Sequence, residues 1–263
     1  MKHIFTAILL FVSMYIFAQQ FPEKQPELLK GHTVAIKPLN ESQLKYDEGY
    51  RNFYSDELAK KTYADNGRQI TKPAALEGRV FIVKDVITEK VYTGSFVKLV
   101  LADSKGETLY FKIEAGSGVY CFTYPDFKLP ADYYCSYIKQ EPNPLLDNSK
   151  EYFADQRFSY KILKVITEKA AIYRLTIENN IDVPITGLGV TLTLENDQKL
   201  VFPKTLIENT KRSHYVASFY LSDEQMKLIA QYKIKTYKFA AHESKMLYGE
   251  EIKGIAGCLI TRK

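Results

Sequence analysis

The chain has 263 residues, 46% hydrophobic and 25% charged, with a formal net charge of +5. That length is enough to bury a sizeable core, as one large domain or two small ones. Lys and Arg are scattered among Asp and Glu, and the only short basic groups are Lys60-Lys61 and Lys211-Arg212. The surplus is ordinary solubility chemistry, and a nucleic-acid footprint, which needs a concentrated patch, is not expected.

Residues 1–18 read as a signal peptide. Lys2 gives a positive start, Ile4 to Phe17 is nearly continuous apolar sequence, and Ala18 precedes a polar stretch. The run is short of the roughly 20 residues that span a bilayer. No Cys follows it, so a lipid anchor is not expected. A region over 19–75 comes next, with a short strand at Val34-Ala35-Ile36. Asn40-Glu41-Ser42-Gln43 is a capping box flanked by Leu39 and Leu44 as a hydrophobic staple. Asn66-Gly67 and Lys72-Pro73 are turn signals that close this region.

A first β unit is expected over 76–140. Val80, Ile82 and Val86-Ile87 alternate with polar residues, and Val97, Leu99 and Leu101 share one face of a second strand. A hairpin turn at Asp103-Ser104-Lys105-Gly106 returns through Leu109-Tyr110-Phe111. Val119 to Phe122 and Tyr133 to Ile138 continue the β pattern. Residues 141–154 read as a linker, because Pro142 and Pro144 deny the backbone donors and helical geometry.

The second unit, 155–263, repeats features of the first. Val86-Ile87-Thr88-Glu89-Lys90 recurs as Val165-Ile166-Thr167-Glu168-Lys169, and Val190, Leu192 and Leu194 match Val97, Leu99 and Leu101. The second copy carries an additional strand, Tyr173 to Ile177, and the turn-rich stretch Asn179 to Pro184. These repeats predict an internal duplication. Ser222-Asp223-Glu224-Gln225 is a second capping box before a short amphipathic helix, and a strand follows from Ile234 to Phe239. From Ser244 onward apolar residues recur at helical spacing. Gly249, Gly254 and Gly257 weaken that helix, and their missing side chains predict a close approach to the sheet. The fold class is therefore α+β, with two small antiparallel β units, short helices and a C-terminal β-α-β-α segment.

Chemical signals are sparse. His32, His214 and His242 are isolated, and Cys121, Cys135 and Cys258 match no zinc pattern. No metal, cofactor or catalytic residue is assigned. In an oxidising compartment one cysteine pair is expected to close. Cys121 and Cys135, in adjacent β-type runs, form the best local pair, with Cys258 a free core thiol; the alternative leaves all three as small buried residues. Gly116-Ser117-Gly118 lacks the spacing of a nucleophile elbow. Gly187-Leu188-Gly189 leads into a strand, whereas a phosphate loop leads into a helix. Asp223-Glu224 and Glu250-Glu251 are explained by helix N-termini, which favour acidic side chains.

Twenty Tyr and fifteen Phe with no Trp are the compositional oddity. Tyr120, Tyr124 and Tyr134 are the candidate ligand-binding residues, since tyrosine offers a rigid amphipathic contact surface. The competing reading buries these rings.

The signal ending Phe17-Ala18-Gln19-Gln20 resembles those of Bacteroidota envelope proteins. Tyr50, Phe53-Tyr54, Leu76-x-Gly78-x-x-Phe81 and Leu221 to Gln225 before the Ile234 strand look like uncharacterised secreted proteins of that group. The resemblance implies a periplasmic or secreted setting and supplies no catalytic residues. The expected function is a non-enzymatic module binding an envelope protein, peptide or glycan. The alternatives are an envelope hydrolase whose site is assembled from distant residues, with His214 or His242 beside an acidic group, and a purely structural protein.

Overall fold

The computed structural model describes residues 21–22, 25–91, 94–113, 121–142, 150–154, 159–168 and 170–262, with backbone alone at 90, 91, 94 and 95. The signal-peptide segment lies outside the described residues. The chain divides into two compact units, 1–129 and 130–263. The division therefore falls at 129/130 and not at 141–154. Stretches of that expected linker are paired strands of the second unit, and residues 19–75 contribute strands to the first unit's sheet.

The first unit is one antiparallel sheet. Its strands are β1 (Thr33–Ile36), β2 (Phe53–Tyr54), β3 (Val80–Val91), β4 (Gly94–Ala102), β5 (Thr108–Ile113) and β6 (Phe122–Thr123), in the order β2-β5-β4-β3-β1-β6. Helix α1 (Glu41–Tyr46) starts where the box predicts, with Asn40 accepting from the Gln43 amide and Gln43 accepting from the Asn40 amide. Helix α2 (Pro73–Leu76) follows the turn signals. Phe53 and Phe122 lie on strands at opposite edges of the sheet, yet their ring centroids are 5.9 Å apart, and Phe111 is 4.9 Å from Phe122. The sheet is thus rolled, and its aromatic rows close on each other as the core.

The second unit has two antiparallel sheets. β7 (Ile138–Pro142), β8 (Lys150–Ala154), β9 (Tyr160–Ile166), β10 (Ala171–Asn180), β13 (Ile207–Lys211) and β14 (His214–Leu221) form one, ordered β13-β14-β10-β9-β8-β7. β11 (Val190–Leu194), β12 (Lys199–Phe202), β15 (Ile234–Phe239) and β16 (His242–Lys245) form the other, ordered β12-β11-β15-β16. Helix α3 (Asp223–Gln231) has the predicted Ser222 capping box. Helix α4 (Gly249–Thr261) starts later than expected, because Ser244 and Lys245 belong to β16.

β3 and β9, which carry the repeated Val-Ile pair, each form a hairpin with the next strand, β4 and β10. The strand that matches β4 in sequence, β11, lies instead in the four-stranded sheet beside β12 and β15.

α4 is pinned to β9 at both ends. Tyr160 donates its hydroxyl to the Glu251 carboxylate in the first turn of α4. Buried Lys164 donates to the carbonyls of Leu259 (3.0 Å), Ile260 (3.3 Å) and Arg262 (2.6 Å). The Leu259 carbonyl also accepts the last helical hydrogen bond, from the Arg262 amide at 3.3 Å, and a cation complements the negative end of the helix.

The disulfide corrects the expected pairing: Cys135 bonds to Cys258, and Cys121 is free. The segment Tyr133–Tyr137 is a 3-10 helix, not a strand, because the turn after Pro130 tightens it through Tyr133 N–H to the Pro130 carbonyl. Cys135 therefore has no cross-strand neighbour at Cys121, which belongs to the first unit. Two glycines of α4 have distinct packing reasons. A Cβ on Gly249 would lie 2.2 Å from the Ile234 carbonyl oxygen of β15, which is the close sheet approach expected. A Cβ on Gly254 would lie 2.1 Å from the Tyr134 ring instead.

Candidate functional site

Of the tyrosines singled out from sequence, Tyr124 and Tyr134 are buried. Tyr120 lies outside the described residues. Tyr124 is buried among Phe21, Phe122 and Phe127, with ring centroids 6.2 to 6.4 Å away. Tyr134 is buried against Gly254 between Tyr133 and Tyr137. Both rings fill the cores of their units, because aromatic area is more favourable inside than exposed.

A cleft in the second unit is the better candidate. It holds about 270 Å³ between the loop joining β10 to β11 and the hairpin joining β15 to β16. Val183, Pro184, Ile185 and Thr186 form one wall; Phe239, Ala240, Ala241 and His242 form the other. The loop is held from beneath. Ile181 N–H donates to the Ser213 carbonyl at 2.7 Å, Ile185 N–H to the Tyr215 hydroxyl at 3.2 Å, and Gly189 N–H to the Thr205 carbonyl at 2.8 Å.

The opposite wall is a strained turn. Phe239 pairs with His242, so Ala240 and Ala241 are a two-residue hairpin loop. Ala240 has φ 51°, a left-handed value that two-residue hairpins usually give to Gly, Asn or Asp. Its backbone is fixed by an N–H bond to the Gly189 carbonyl at 2.9 Å, which ties the two walls together. Strain of this kind persists only where surrounding structure holds it, and it concentrates at functional sites.

Three apolar side chains around the cleft point outward. Val183 is 52% exposed; Leu188 and Leu206, which flank the Gly189–Thr205 hydrogen bond, are 57% and 59% exposed. Isolated exposed apolar residues are ordinary, but three on adjoining loops beside a cleft form a patch. Behind the cleft, Asn179, Tyr237 and Ser244 form a polar group, with Asn179 donating to the Ser244 hydroxyl at 3.3 Å. Burial raises the Tyr237 phenol above its usual range, and hydrogen bonds with Ser244 and Asn179 offset part of that.

A second cluster lies on the face of the six-stranded sheet turned away from that core. The Thr210 hydroxyl is 2.6 Å from His214 Nδ1, and His214 Nε2 is 3.4 Å from the Glu178 carboxylate. The three residues sit at the exposed end of β13, β14 and β10. The remaining thiol, Cys121, is pushed up to about 12 by burial, so at neutral pH it is a thiol and not a nucleophile. Among the described residues no group of three His, Cys, Asp or Glu side chains is arranged to hold a metal ion.

From sequence, Asn179 to Pro184 reads only as turn-rich and Gly187-Leu188-Gly189 only as the lead into a strand. His242 reads from sequence as an isolated histidine. Nothing in Phe239-Ala240-Ala241-His242 announces a tight turn, since the usual Gly or Asn is missing. No family model, curated protein or solved structure matches this chain.

Proposed function

We propose that the chain is an exported, non-enzymatic binding protein of the cell envelope, periplasmic or secreted, and that its recognition site is the cleft between the 183–186 loop and the 239–242 hairpin. The observation that carries this reading is a cleft of mixed polar and apolar lining, built on a strained turn and bordered by exposed Val183, Leu188 and Leu206. Export is supported by the signal-like start and by the Cys135–Cys258 bridge, since such bridges persist in oxidising compartments. Among the described residues no helix is long and apolar enough to cross a membrane. The setting also accords with the resemblance to uncharacterised Bacteroidota envelope proteins. The hairpin order shared by β3-β4 and β9-β10 supports reading the two units as a duplication, with the second unit elaborated by the four-stranded sheet that forms one cleft wall.

The alternative sheet-edge mode of recognition has less support. The edge strands β7 and β13 carry Lys139, Glu141, Pro142, Glu208 and Lys211, β12 and β16 are four residues each and carry Lys199, Glu243 and Lys245, and β2 and β6 have two residues each. Charged, proline-bearing or very short edges discourage strand addition.

A pull-down from the native envelope fraction tests the reading. Wild-type protein is compared with Ala241→Arg, which puts a long charged side chain on the cleft wall at an exposed position. Loss of a specifically captured species is expected; identical capture by both proteins refutes the cleft as the recognition site.

A hydrolase is the second reading, favoured by the Thr210–His214–Glu178 cluster, in which a base is flanked by a hydroxyl and a carboxylate. It ranks lower because the threonine is exposed on a hairpin. Turnover of an ester probe abolished in both Thr210→Ala and His214→Ala would reverse the ranking.

A further inference from the structure

We infer that the outer face of the six-stranded sheet of the second unit is an interface between two copies of this chain, joined about a twofold axis that crosses β10 at Thr176 and sets Arg174 of each copy against Glu178 of the other.

Strand register fixes what that face carries. Tyr173, Leu175 and Ile177 of β10 are buried in the core of the unit, so Arg174, Thr176 and Glu178 point the other way. Cross-strand pairing puts Tyr220 of β14 and Leu163 of β9 on either side of Arg174, with Phe153 of β8 beyond Leu163. Val216 of β14 lies beside Glu178 in the same way. Tyr220 is 67% exposed, and Ile172, on the same face of β10, is 41% exposed. Arg174 stands in this aromatic and aliphatic row as an uncompensated charge. Among the described residues it makes no ion pair, and its Nε, closed to solvent, has no hydrogen-bond partner. Tyr and Arg set among apolar side chains are the composition of protein interface cores.

The charge pattern selects the partner. Arg174 and Glu178 lie two residues to either side of Thr176 on β10, each about 6.6 Å from it along the strand. An axis running across the strands at Thr176 turns one sheet onto the other and exchanges these two positions. One surface then supplies two Arg–Glu pairs, as an isologous contact requires. The same operation brings Tyr220 over Val216 of the second copy. An axis running along β10 sets Arg174 on Arg174 and Glu178 on Glu178 instead, and like-charge repulsion disfavours it. Facing sheets pack about 10 Å apart, a gap that an arginine and a glutamate reaching toward each other bridge. Near the axis the Thr176 and Ser218 hydroxyls are already paired at 2.8 Å, which lowers the cost of covering them. Lys161, level with Thr176 on β9, has its ammonium 5.2 Å over the Phe153 ring, drawn toward β8 and away from its own copy. Glu178 touches His214 Nε2 at 3.4 Å and keeps lone pairs for a guanidinium. Glu208 and Lys211 ride on the edge strand β13, at the solvated rim. Six strands spaced about 4.8 Å apart and about 20 Å deep give a face of about 500 Å² per copy, below the roughly 800 Å² of a standard interface. The dimer is therefore a weak one that forms with concentration.

Sedimentation velocity of the mature protein from about 1 to 300 µM tests this, and a reversible monomer–dimer equilibrium is expected. Arg174→Glu and Glu178→Arg, each alone, put like charges across the twofold and are expected to weaken dimerisation at least about tenfold. Combining them exchanges the two charges and is expected to restore dimerisation to within about threefold of wild type. Tyr220→Ser, at an exposed position, is expected to weaken it by about threefold or more. Far-ultraviolet circular dichroism verifies the fold of each variant. A wild-type protein that stays monomeric throughout overturns the inference. So does a dimer that Tyr220→Ser and both single charge variants leave intact, or one that the folded double exchange fails to restore.

Discussion

Two glycines three residues apart in α4 are expected to respond to the same substitution with opposite signs. Gly254→Ala places a methyl 2.1 Å from Tyr134 Cδ2 and 2.8 Å from Cγ. Carbon atoms pack at about 3.5 to 4.0 Å, so the ring has to retreat by about 1.5 Å. It has little freedom to do so. Tyr134 is wedged between Tyr133 and Tyr137 with centroids 5.1 and 5.8 Å away, and the next residue, Cys135, is bonded to Cys258 on α4 itself. Overpacking of this kind costs about 1 to 3 kcal/mol, against a helix-propensity gain of up to about 1 kcal/mol. The net expectation is destabilisation by about 1 to 2 kcal/mol.

Gly257→Ala meets nothing within 4 Å and keeps only the propensity gain, so it is expected to stabilise by about 0.5 to 1 kcal/mol. Because the chain has no Trp, unfolding is best followed in urea by circular dichroism at far-ultraviolet wavelengths. The two units provide for two transitions, and only the one belonging to residues 130–263 is expected to move. Placing Gly254→Ala in a Tyr134→Ala background removes the obstacle and is expected to turn the substitution stabilising. If Gly254→Ala and Gly257→Ala shift stability in the same direction, or if truncating Tyr134 leaves the sign unchanged, the packing of Tyr134 on Gly254 is not as described.

Alkylation of the unfolded, non-reduced mature protein is expected to label one thiol, Cys121, and reduction to expose two more; three labels without reduction would contradict the Cys135–Cys258 bridge. In the native state at pH 8 that same thiol is expected to react far more slowly than in the unfolded chain, since burial pushes it up to about 12. Removing the bridge with Cys135→Ser and Cys258→Ser frees a span of 123 residues, and loop closure predicts a loss of up to about 5 kcal/mol, read by denaturant unfolding. The first unit is expected to be acid-sensitive through Asp103. Burial raises its carboxyl, but bonds from the Glu107 and Lys105 amides and from Arg79 outweigh this and hold it below the usual carboxylate range. The folded pKa is thus the lower one, so its stabilisation is present above the unfolded carboxyl's ordinary range and lost as pH falls through the folded value. Asp103→Asn is expected to flatten that part of the acid-unfolding profile, and an unchanged profile would remove Asp103 from the account. Gly49→Ala is expected to destabilise the first unit by more than 1 kcal/mol, roughly the overpacking range, because its Cβ would lie 2.3 Å from the Thr71 carbonyl oxygen.

What was legible in the sequence was local. The boxes at Asn40 and Ser222 form as written because cap, amide and reciprocal side chain lie within four residues, and no distant contact competes with them. The disulfide was not legible in this way, since Cys135 and Cys258 are brought together by the docking of one segment on another. Tyrosine was ambiguous for a different reason. Its ring satisfies a core as well as a surface, and only strand order decides which it meets, as the burial of Tyr124 and Tyr134 shows. The cleft escaped notice because its turn violates propensity at Ala240, so the feature that marks the site is the one that hides it from turn rules.

Lys164 shows how a tertiary fact can hide in a periodic pattern. Its position on β9 puts it on the inward face between Tyr152 and Tyr173, where alternation alone predicts an apolar residue. The exception is resolved by length. From Tyr160 to Lys164 the strand advances about 13 Å, four residues at about 3.3 Å each. From Glu251 to Ile260 the helix advances about 13.5 Å, nine residues at 1.5 Å. A helix whose first turn sits over Tyr160 therefore ends over Lys164, and the ammonium meets the C-terminal carbonyls there. Desolvation lowers the Lys164 pKa, which measures the cost of burying the charge. Lys164→Met removes that cost but leaves the carbonyls of Leu259, Ile260 and Arg262 without their shared donor. The expected balance is a loss of about 1 to 3 kcal/mol in urea unfolding, with hydrogen exchange accelerated in the last turn of α4. Unchanged exchange there, with stability equal to wild type, would mean that α4 is held by its apolar face alone and that the lysine is incidental.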